Sequence, residues 1–212
     1  GYDDALDPIW EKAILLANND LPFEVPFYKE EWNRIVIAQE ALTLDKYVKA
    51  TRNGRGTRLD RKRRIQVWKV FENYQNLMKE YQIRDINTAM YESTKLLQAA
   101  GSKPRYASII IDEGQDFSDN AYRLIRALAG EEHPNDIFIV GDSHQRIYRN
   151  HPTLSKCGIN VRGRSSNLKI NYRTTEEIRK HAFALLNGIS FDDLDDGADI
   201  GGKCQSLTHG EK

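Results

Sequence analysis

The chain has 212 residues, enough for one large or two small domains with a hydrophobic core. Its 31 basic and 31 acidic residues cancel, so the total charge neither favours nor excludes a nucleic-acid partner. A content of 40% hydrophobic and 29% charged residues excludes a disordered chain, and no apolar run reaches the roughly 18 residues of a membrane span.

The first hundred residues predict a mostly helical region. Apolar residues recur at helical spacing in four segments, at 8–17, 28–41, 60–81 and 85–100, and a shorter turn is expected at 43–50. A loop with Pro22 and Pro26 is expected between the first two segments. Trp32 and Trp68 lie on the apolar stripes, so we expect them to pack in the core, with base stacking as the alternative.

The neutral total hides strongly charged segments. Residues 1–31 hold eight acidic residues against two lysines, and residues 191–199 hold five aspartates and no base. Residues 49–64 hold eight basic residues and one aspartate around a loop with two glycines. Such a segment is typical of a phosphate-binding surface, and a solvated, charged loop and helix start is the alternative. The two glycines predict that the loop is flexible. The candidate nucleic-acid contacts in it are Arg52, Arg55 and Arg58.

The second half of the sequence predicts an α/β structure. Short apolar runs at 107–111 and 137–140 are separated by a helix-length segment at 118–129, which is typical of buried parallel strands. Residues 168–170 are a candidate third strand, and 174–187 predict a further helix.

The cysteines and the two ends of the sequence indicate the compartment of the protein and its relation to a longer polypeptide. Cys157 and Cys204 are far apart and belong to no Cys/His cluster, which excludes a Cys/His zinc site and favours a reducing compartment. Because no signal peptide is visible, we expect a cytoplasmic protein. The sequence starts at Gly1 without a methionine and ends in a polar segment, so we expect a piece of a longer protein.

Acidic residues follow both strong strands. Asp112 and Glu113 come directly after the first strand, and Asp142 comes just after the second. In open α/β sheets the ligand crevice lies outside the carboxyl ends of the strands. An Asp-Glu pair there is what a Walker B site needs, since the Asp holds Mg²⁺ and the Glu polarises the water that attacks a γ-phosphate. Capping of the next helix is the alternative.

Three strings stand in order in this half, DEGQDF at 112–117, GDSHQRIY at 141–148 and NYRTT at 171–175. They resemble motifs II, III and IV of superfamily 1 helicases of the UvrD/Rep/PcrA kind. The resemblance implies an α/β fold, namely a partial RecA-like P-loop NTPase lobe with parallel strands, preceded by a mostly helical insertion.

The resemblance also implies three regions. Residues 1–105 match the insertion called subdomain 1B by position and basic character only, and in that family this subdomain lies over the translocated DNA strand. Residues 106–170 match the second part of lobe 1A, with motifs II and III. Residues 171–212 match the truncated start of lobe 2A, with motif IV.

Site residues are carried over by position. Asp112 would coordinate Mg²⁺, and Glu113 would activate the hydrolytic water. Gln145 would sense the γ-phosphate, Tyr172 would stack on the adenine, and Arg173 would reach the γ-phosphate from the second lobe to neutralise transition-state charge.

Each of the last three residues has an alternative. Gln145 is also compatible with a helix cap, Tyr172 with a core position, and Arg173 with an ion pair to an acid of the following helix. Tyr148 would lie near the single strand. The tryptophan with which relatives continue motif III, and which stacks on DNA bases, has no counterpart after Tyr148.

Other family motifs are absent from these 212 residues. No phosphate-cradling GxxxxGK[ST] loop, or Walker A motif, precedes motif II. The string at 197–203 has the glycine and lysine spacing but is followed by Cys204 in place of the Mg²⁺-binding hydroxyl. Motifs V and VI are absent as well. We therefore expect a fragment that is inactive alone and needs the P-loop and the remaining 2A and 2B parts of its own polypeptide.

The function implied for the parent protein is that of an ATP-dependent DNA helicase or translocase that moves 3′ to 5′. Its cofactors would be ATP and Mg²⁺, and its substrates single-stranded DNA and junctions of single and double strands. One alternative is a non-catalytic nucleic-acid-binding module. Another is a metal-dependent nuclease with a carboxylate cluster of Asp112, Glu113, Asp116 and Asp142.

Overall fold

A computed structural model describes residues 4–101, 106–142, 145, 153–185, 191–193, 197–199 and 204–210. The chain divides into two compact units, residues 1–100 and residues 101–212. The further predicted division between residues 170 and 171 stays a prediction, as does the assignment of regions to the lobes of a motor.

The first unit is helical, as the apolar spacing predicts. Its elements are α1 (Asp7–Ala17), α2 (Val25–Glu31), a π-helix (Trp32–Ile37), α3 (Leu44–Lys49), α4 (Arg61–Glu80) and α5 (Ile86–Ala99). The second predicted helix differs from expectation, because it begins earlier and includes Pro26, which was expected in a loop. Proline is tolerated in a first helical turn, where its missing N–H would have no intrahelical partner.

Short polar side chains, those of Thr43, Asp60 and Asp85, fix where α3, α4 and α5 begin. Thr43 accepts a hydrogen bond from the Lys46 amide before α3. Asp60 does the same for Arg63 before α4, at 2.8 Å. Such caps satisfy amides that the first turn leaves without an intrahelical acceptor.

The core of the first unit is aromatic. Trp10 stacks on Tyr74 with ring centroids 3.6 Å apart, and Phe71 packs edge-on against Trp10. The predicted packing of Trp32 and Trp68 is confirmed, since only 2% and 4% of these residues are exposed. Several large aromatic rings therefore pack against one another in the core of this helical unit.

The second unit contains the predicted parallel strands. β1 (Ile109–Ile111) pairs in parallel with β2 (Ile137–Ile139), and α6 (Asp119–Ala129) connects them. Tyr122 of α6, which is fully buried, belongs to the small core beside this pair. A parallel pair joined by a helix brings both carboxyl ends to the same edge, as a ligand crevice requires.

The remaining short elements lie elsewhere in the second unit. β3 (Ile170–Asn171) pairs in parallel with β6 (Gln205–Ser206), so the third strand exists but belongs to a separate sheet in the described residues. The other elements are α7 (Glu176–Leu185) and the antiparallel pair β4 (Phe191–Asp193) and β5 (Gly197–Asp199). In the described part of the chain, no helix combines the length and the apolar character needed to cross a membrane.

Candidate active site and basic surface

The acidic residues after β1 lie beside the end of β2. The Val140 amide donates to the Ile111 carbonyl, and the Gly114 amide donates to the Val140 carbonyl, each at 2.8 Å. Asp112 and Glu113 therefore follow the strand at the sheet edge, and both side chains are exposed to solvent. This is the placement that the sequence predicts for a ligand crevice.

The backbone at Glu113 is in the left-handed region, with φ of 53°. This conformation is uncommon for residues other than glycine, and outliers of this kind concentrate at functional sites. The Asp112 carboxylate accepts the Glu113 amide at 2.9 Å and so stabilises the turn. The turn thereby presents two adjacent carboxylates at the same edge.

A buried glutamine joins this turn to the end of β2. Gln115, which is 3% exposed, donates from Nε2 to Glu113 Oε2 at 2.7 Å. Its Oε1 accepts the Asp142 amide at 2.9 Å. Gln115 is not among the site residues predicted from the sequence, although its polar side chain lies between two acids of motif II.

The two glycines at this junction are required by close approach. A Cβ on Gly114 would lie 2.6 Å from Ile139 Cγ2 and 2.8 Å from the Tyr122 hydroxyl. A Cβ on Gly141 would lie 2.7 Å from Gln115 Oε1. The strand ends are therefore packed too tightly for any side chain at these positions, which holds the Gln115 amide in place.

Gln145 extends the same network. Its Nε2 donates to Asp142 Oδ2 at 2.9 Å, and its side chain is exposed. A continuous series of hydrogen bonds thus runs from Glu113 through Gln115 and Asp142 to Gln145. Tyr148, the predicted single-strand contact, lies outside the described residues.

The donor set at this edge fits Mg²⁺ bound together with a nucleotide. Mg²⁺ usually binds proteins through one or two carboxylates, with water and phosphate oxygens as the other ligands. Asp112 supplies one exposed carboxylate directly after the strand. Among the described residues, no three His, Cys, Asp or Glu side chains group to hold a metal ion, so the four-carboxylate cluster of the nuclease alternative is not formed there.

The motif IV residues are held on a separate turn. Asn171 Oδ1 accepts the Arg173 amide at 2.9 Å, which shapes the turn after β3. Tyr172 is 74% exposed, so its alternative as a core residue is wrong. In the described residues, no hydrogen bond or ion pair links Arg173 to Asp112 or Glu113, so the structure does not bring these groups together.

The expected alternative for Arg173, an ion pair with the start of α7, is not formed in the described residues. Glu176 is bound by Arg179 and by the Ser206 amide, and these contacts lower its pKa to about 2. The amide of Gly210, together with the side chain of His209, lowers the pKa of Glu177 to about 2. The exposed Arg173 guanidinium has no partner within this part of the chain, so it is available to a ligand.

The basic segment of the first unit differs from the prediction at two residues. Arg52 donates from Nε to Glu31 Oε1 at 2.6 Å and from Nη2 to Oε2 at 2.9 Å. Arg55 donates to Glu31 Oε2 at 2.9 Å and also pairs with Glu30. Only 7% and 6% of the two arginine side chains are exposed, so they serve the fold, and their prediction as nucleic-acid contacts does not fit this geometry.

The loop that carries these arginines is fixed by its contacts. Tyr47 also donates to Glu31, at 2.9 Å, and burial beside this carboxylate raises the pKa of Tyr47. Arg52 Nη1 donates to the Thr57 carbonyl at 2.6 Å. The prediction of a flexible loop is therefore wrong for this segment, because a buried carboxylate holds it at several points.

An exposed basic surface remains next to this loop, and we call it the α4 rim. It consists of Arg58, Arg61, Lys62 and Arg63. Among the described residues, none of these four side chains forms an ion pair. Three of the four lie in the first turn of α4, where positive charge opposes the helix dipole. This placement is unfavourable for the helix and leaves four positive charges exposed to solvent.

Comparisons with known proteins agree with the motif pattern. The chain matches a family model described as the UvrD/REP helicase N-terminal domain over residues 24–151. It is similar to the ATP-dependent DNA helicases UvrD1 of Mycobacterium bovis and Mycobacterium tuberculosis, with 26% identity over 134 residues. The match covers 55% of this chain and 17% of each relative. No solved structure matches the chain significantly.

Proposed function

The chain belongs to the UvrD/REP helicase family, and from this premise we propose that it is part of an ATP-dependent DNA helicase. The observation that carries the proposal is the hydrogen-bond network at the carboxyl ends of β1 and β2. It joins Glu113, the candidate base, to Gln145, the candidate phosphate sensor. In this proposal residues 106–170 belong to a RecA-like lobe 1A, residues 1–105 to a 1B-like insertion, and residues 171–212 to the start of lobe 2A.

The proposed hydrolytic residues are Asp112 and Glu113. Asp112 would hold Mg²⁺, which supplies neutralisation of phosphate charge when it is bound with ATP. Glu113 Oε2 is fixed by Gln115, while Oε1 has no protein partner in the described residues. A carboxylate fixed at one oxygen and open at the other is suited to orient a water molecule for attack.

The remaining site residues would act on other parts of the nucleotide. Gln145 is exposed, and within the described residues its side chain bonds through Nε2 to Asp142 while its Oε1 has no partner, so this oxygen is open to a ligand donor. Tyr172 would stack on the adenine, and its exposed ring supports this role. Arg173 would neutralise charge on the γ-phosphate, and its exposed guanidinium, which has no partner in the described part of the chain, supports this role.

The α4 rim is the proposed nucleic-acid surface of the chain. Arg58 stays in the set of contacts predicted from the sequence, and the rim replaces Arg52 and Arg55. Tyr148 remains a proposed contact to the single strand. The complete protein would move 3′ to 5′ on DNA and act at junctions in the cytoplasm, with closure of two lobes around ATP driving each step.

Substitution of Glu113 in the full-length polypeptide tests the hydrolytic role. We expect Glu113→Gln to lower the kcat of DNA-stimulated ATP hydrolysis by about 100-fold or more, while ATP still binds. Glu131→Gln is the matched control, because Glu131 is an exposed acid of the same unit outside this network. Turnover of Glu113→Gln within twofold of the control would contradict the proposal.

A further inference from the structure

We propose that Gln115 is a positioning residue that fixes the Glu113 carboxylate relative to the segment carrying Gln145. The inference rests on the proposed function, since it takes Glu113 as the group that orients water. Gln115 lies at the centre of the network, is 3% exposed, and contacts both strand ends.

The two ends of the Gln115 amide have chemically fixed roles. The Asp142 amide is a donor, so the Gln115 atom that faces it must be the oxygen. The amide nitrogen then faces Glu113 Oε2, which is an acceptor when ionised. Neither end can be exchanged without losing a partly buried hydrogen bond, and this makes glutamine specific at the position.

Close packing around the Gln115 amide adds to this requirement. A Cβ on Gly141 would lie only 2.7 Å from Gln115 Oε1, so the Gly141 backbone is very close to the amide. The Tyr122 hydroxyl donates to the Gly114 carbonyl at 2.5 Å and fixes the turn on the other side. The amide of Gln115 therefore has one accessible orientation, and the Glu113 carboxylate takes its position from it.

This arrangement couples the two motifs mechanically. Asp142 binds Gln115 through its backbone amide and Gln145 through its side chain. A displacement of Asp142 when Gln145 engages phosphate would therefore move Gln115 and reorient Glu113. The coupling needs no further residue, because each link is a direct hydrogen bond of 2.7 to 2.9 Å.

Two substitutions separate the two ends of the amide. Gln115→Met keeps the length and removes both hydrogen bonds. Gln115→Glu keeps an acceptor for the Asp142 amide but places a carboxylate against Glu113. In the full-length polypeptide, we expect both variants to lower kcat for ATP hydrolysis about tenfold or more and to change KM for ATP less than threefold.

Amide hydrogen exchange in the 212-residue chain gives a readout without nucleotide. We expect the Asp142 amide to exchange at least about tenfold faster in Gln115→Met, because it loses its acceptor, and to stay protected in Gln115→Glu. The Gly114 amide, bonded to Val140, is the internal reference. Gln205→Glu makes the same chemical change at an exposed residue and should leave kcat and the Asp142 exchange rate unchanged.

Each outcome decides the inference. Normal kcat in Gln115→Glu would overturn it, as would unchanged Asp142 exchange in Gln115→Met. A fall in kcat with an equal rise in KM and a lower thermal midpoint would show a purely structural role and would also overturn it. Failure of the proposed function is recognised separately, because Glu113→Gln would then hydrolyse ATP normally.

Discussion

Two glutamates in the two units show opposite uses of the same side chain. Glu31 is fully buried, and its two oxygens accept hydrogen bonds from Tyr47, Arg52 and Arg55. Glu113 is exposed, and Gln115 is its side-chain partner in the described residues. A carboxylate with every position filled stabilises a loop, whereas one with an open oxygen is available for chemistry.

The arginines of the basic segment differ in the same way. Arg52 and Arg55 pair with Glu31 inside the first unit. Arg58 is exposed and lies between Thr57, whose carbonyl is bound by Arg52, and the buried Leu59. The loop is therefore held by its internal arginines and presents the next one. Charge in the sequence does not distinguish these roles, because all three are arginines within seven residues.

The largest effect is expected when the hydrogen bonds of the buried Glu31 carboxylate are disrupted. Glu31→Gln takes the Glu31 carboxylate from two buried guanidinium groups and leaves Arg55 paired with Glu30, so we expect the free energy of unfolding of the first unit to fall by about 3 kcal/mol. All three tryptophans lie in this unit, so urea titration followed by tryptophan fluorescence measures it directly. Glu113→Gln should change the stability of its own unit by less than about 0.5 kcal/mol, measured by circular dichroism.

Tyr47→Phe is the graded control for this prediction. It removes one hydrogen bond to Glu31 and keeps both arginine contacts, so a loss of about 1 kcal/mol is expected. If Glu31→Gln costs no more than Tyr47→Phe, the buried ion pairs do not hold the loop. The distinction between a closed and an open glutamate would then fail for the first unit.

The sequence predicts most of the fold. Helices with apolar spacing, such as Arg61–Glu80, and both parallel strands are found within a few residues of their expected ends. Local periodicity determines such elements, because it depends only on which side chains must be buried together. The position of Pro26 was misjudged, since proline interrupts a helix in its interior and is favoured in its first turn.

The candidate site could be predicted only in part. The acids after the strands and the string around Gln145 were recognisable, because strand ends and motifs are local features. The pairing of Glu31 with Arg52 and Arg55 was not, because it joins residues more than 20 positions apart. The role of Gln115 likewise depends on contact with Asp142, 27 residues away.

A smaller effect is expected at the α4 rim, and it tests whether the exposed Arg58 has a role that the buried Arg52 and Arg55 do not have. Arg58→Glu should weaken the binding of a single-stranded DNA oligonucleotide by the 212-residue chain about tenfold and reduce the salt dependence of binding. Fluorescence anisotropy at several salt concentrations measures both. Lys79→Glu makes the same charge change near the far end of α4, about 27 Å along the helix from Arg61, and we expect less than a twofold effect there.

The comparison of these two variants decides whether the α4 rim is a specific nucleic-acid-binding surface. Equal weakening by Arg58→Glu and Lys79→Glu would show that only net charge matters. If neither variant weakens binding, the α4 rim is a solvated helix start that does not contact DNA. In both cases, Arg58 would lose the role that distinguishes it from Arg52 and Arg55.

The smallest effect is expected at Glu176, which has fewer hydrogen-bond partners than Glu31 but is less exposed than Glu113. It is 8% exposed, and its carboxylate binds Arg179 and the Ser206 amide, which connects α7 to β6. Its pKa is lowered to about 2 by these contacts. Because the folded state binds the proton less readily than the unfolded state, this stabilisation is present at neutral pH and is lost as the pH falls from about 4.5 towards 2.

We therefore expect the thermal midpoint of the second unit, followed by circular dichroism, to decrease over this pH range and to decrease less in Glu176→Gln. Glu177→Gln is the matched comparison, because Glu177 also has a pKa lowered to about 2 but is exposed. Added salt should weaken the contribution of Glu177 more than that of Glu176, since screening acts most on exposed charges. If salt acts equally on both, burial does not separate the structural carboxylates of this chain from the open ones, and the comparison between Glu31 and Glu113 would rest on hydrogen bonding alone.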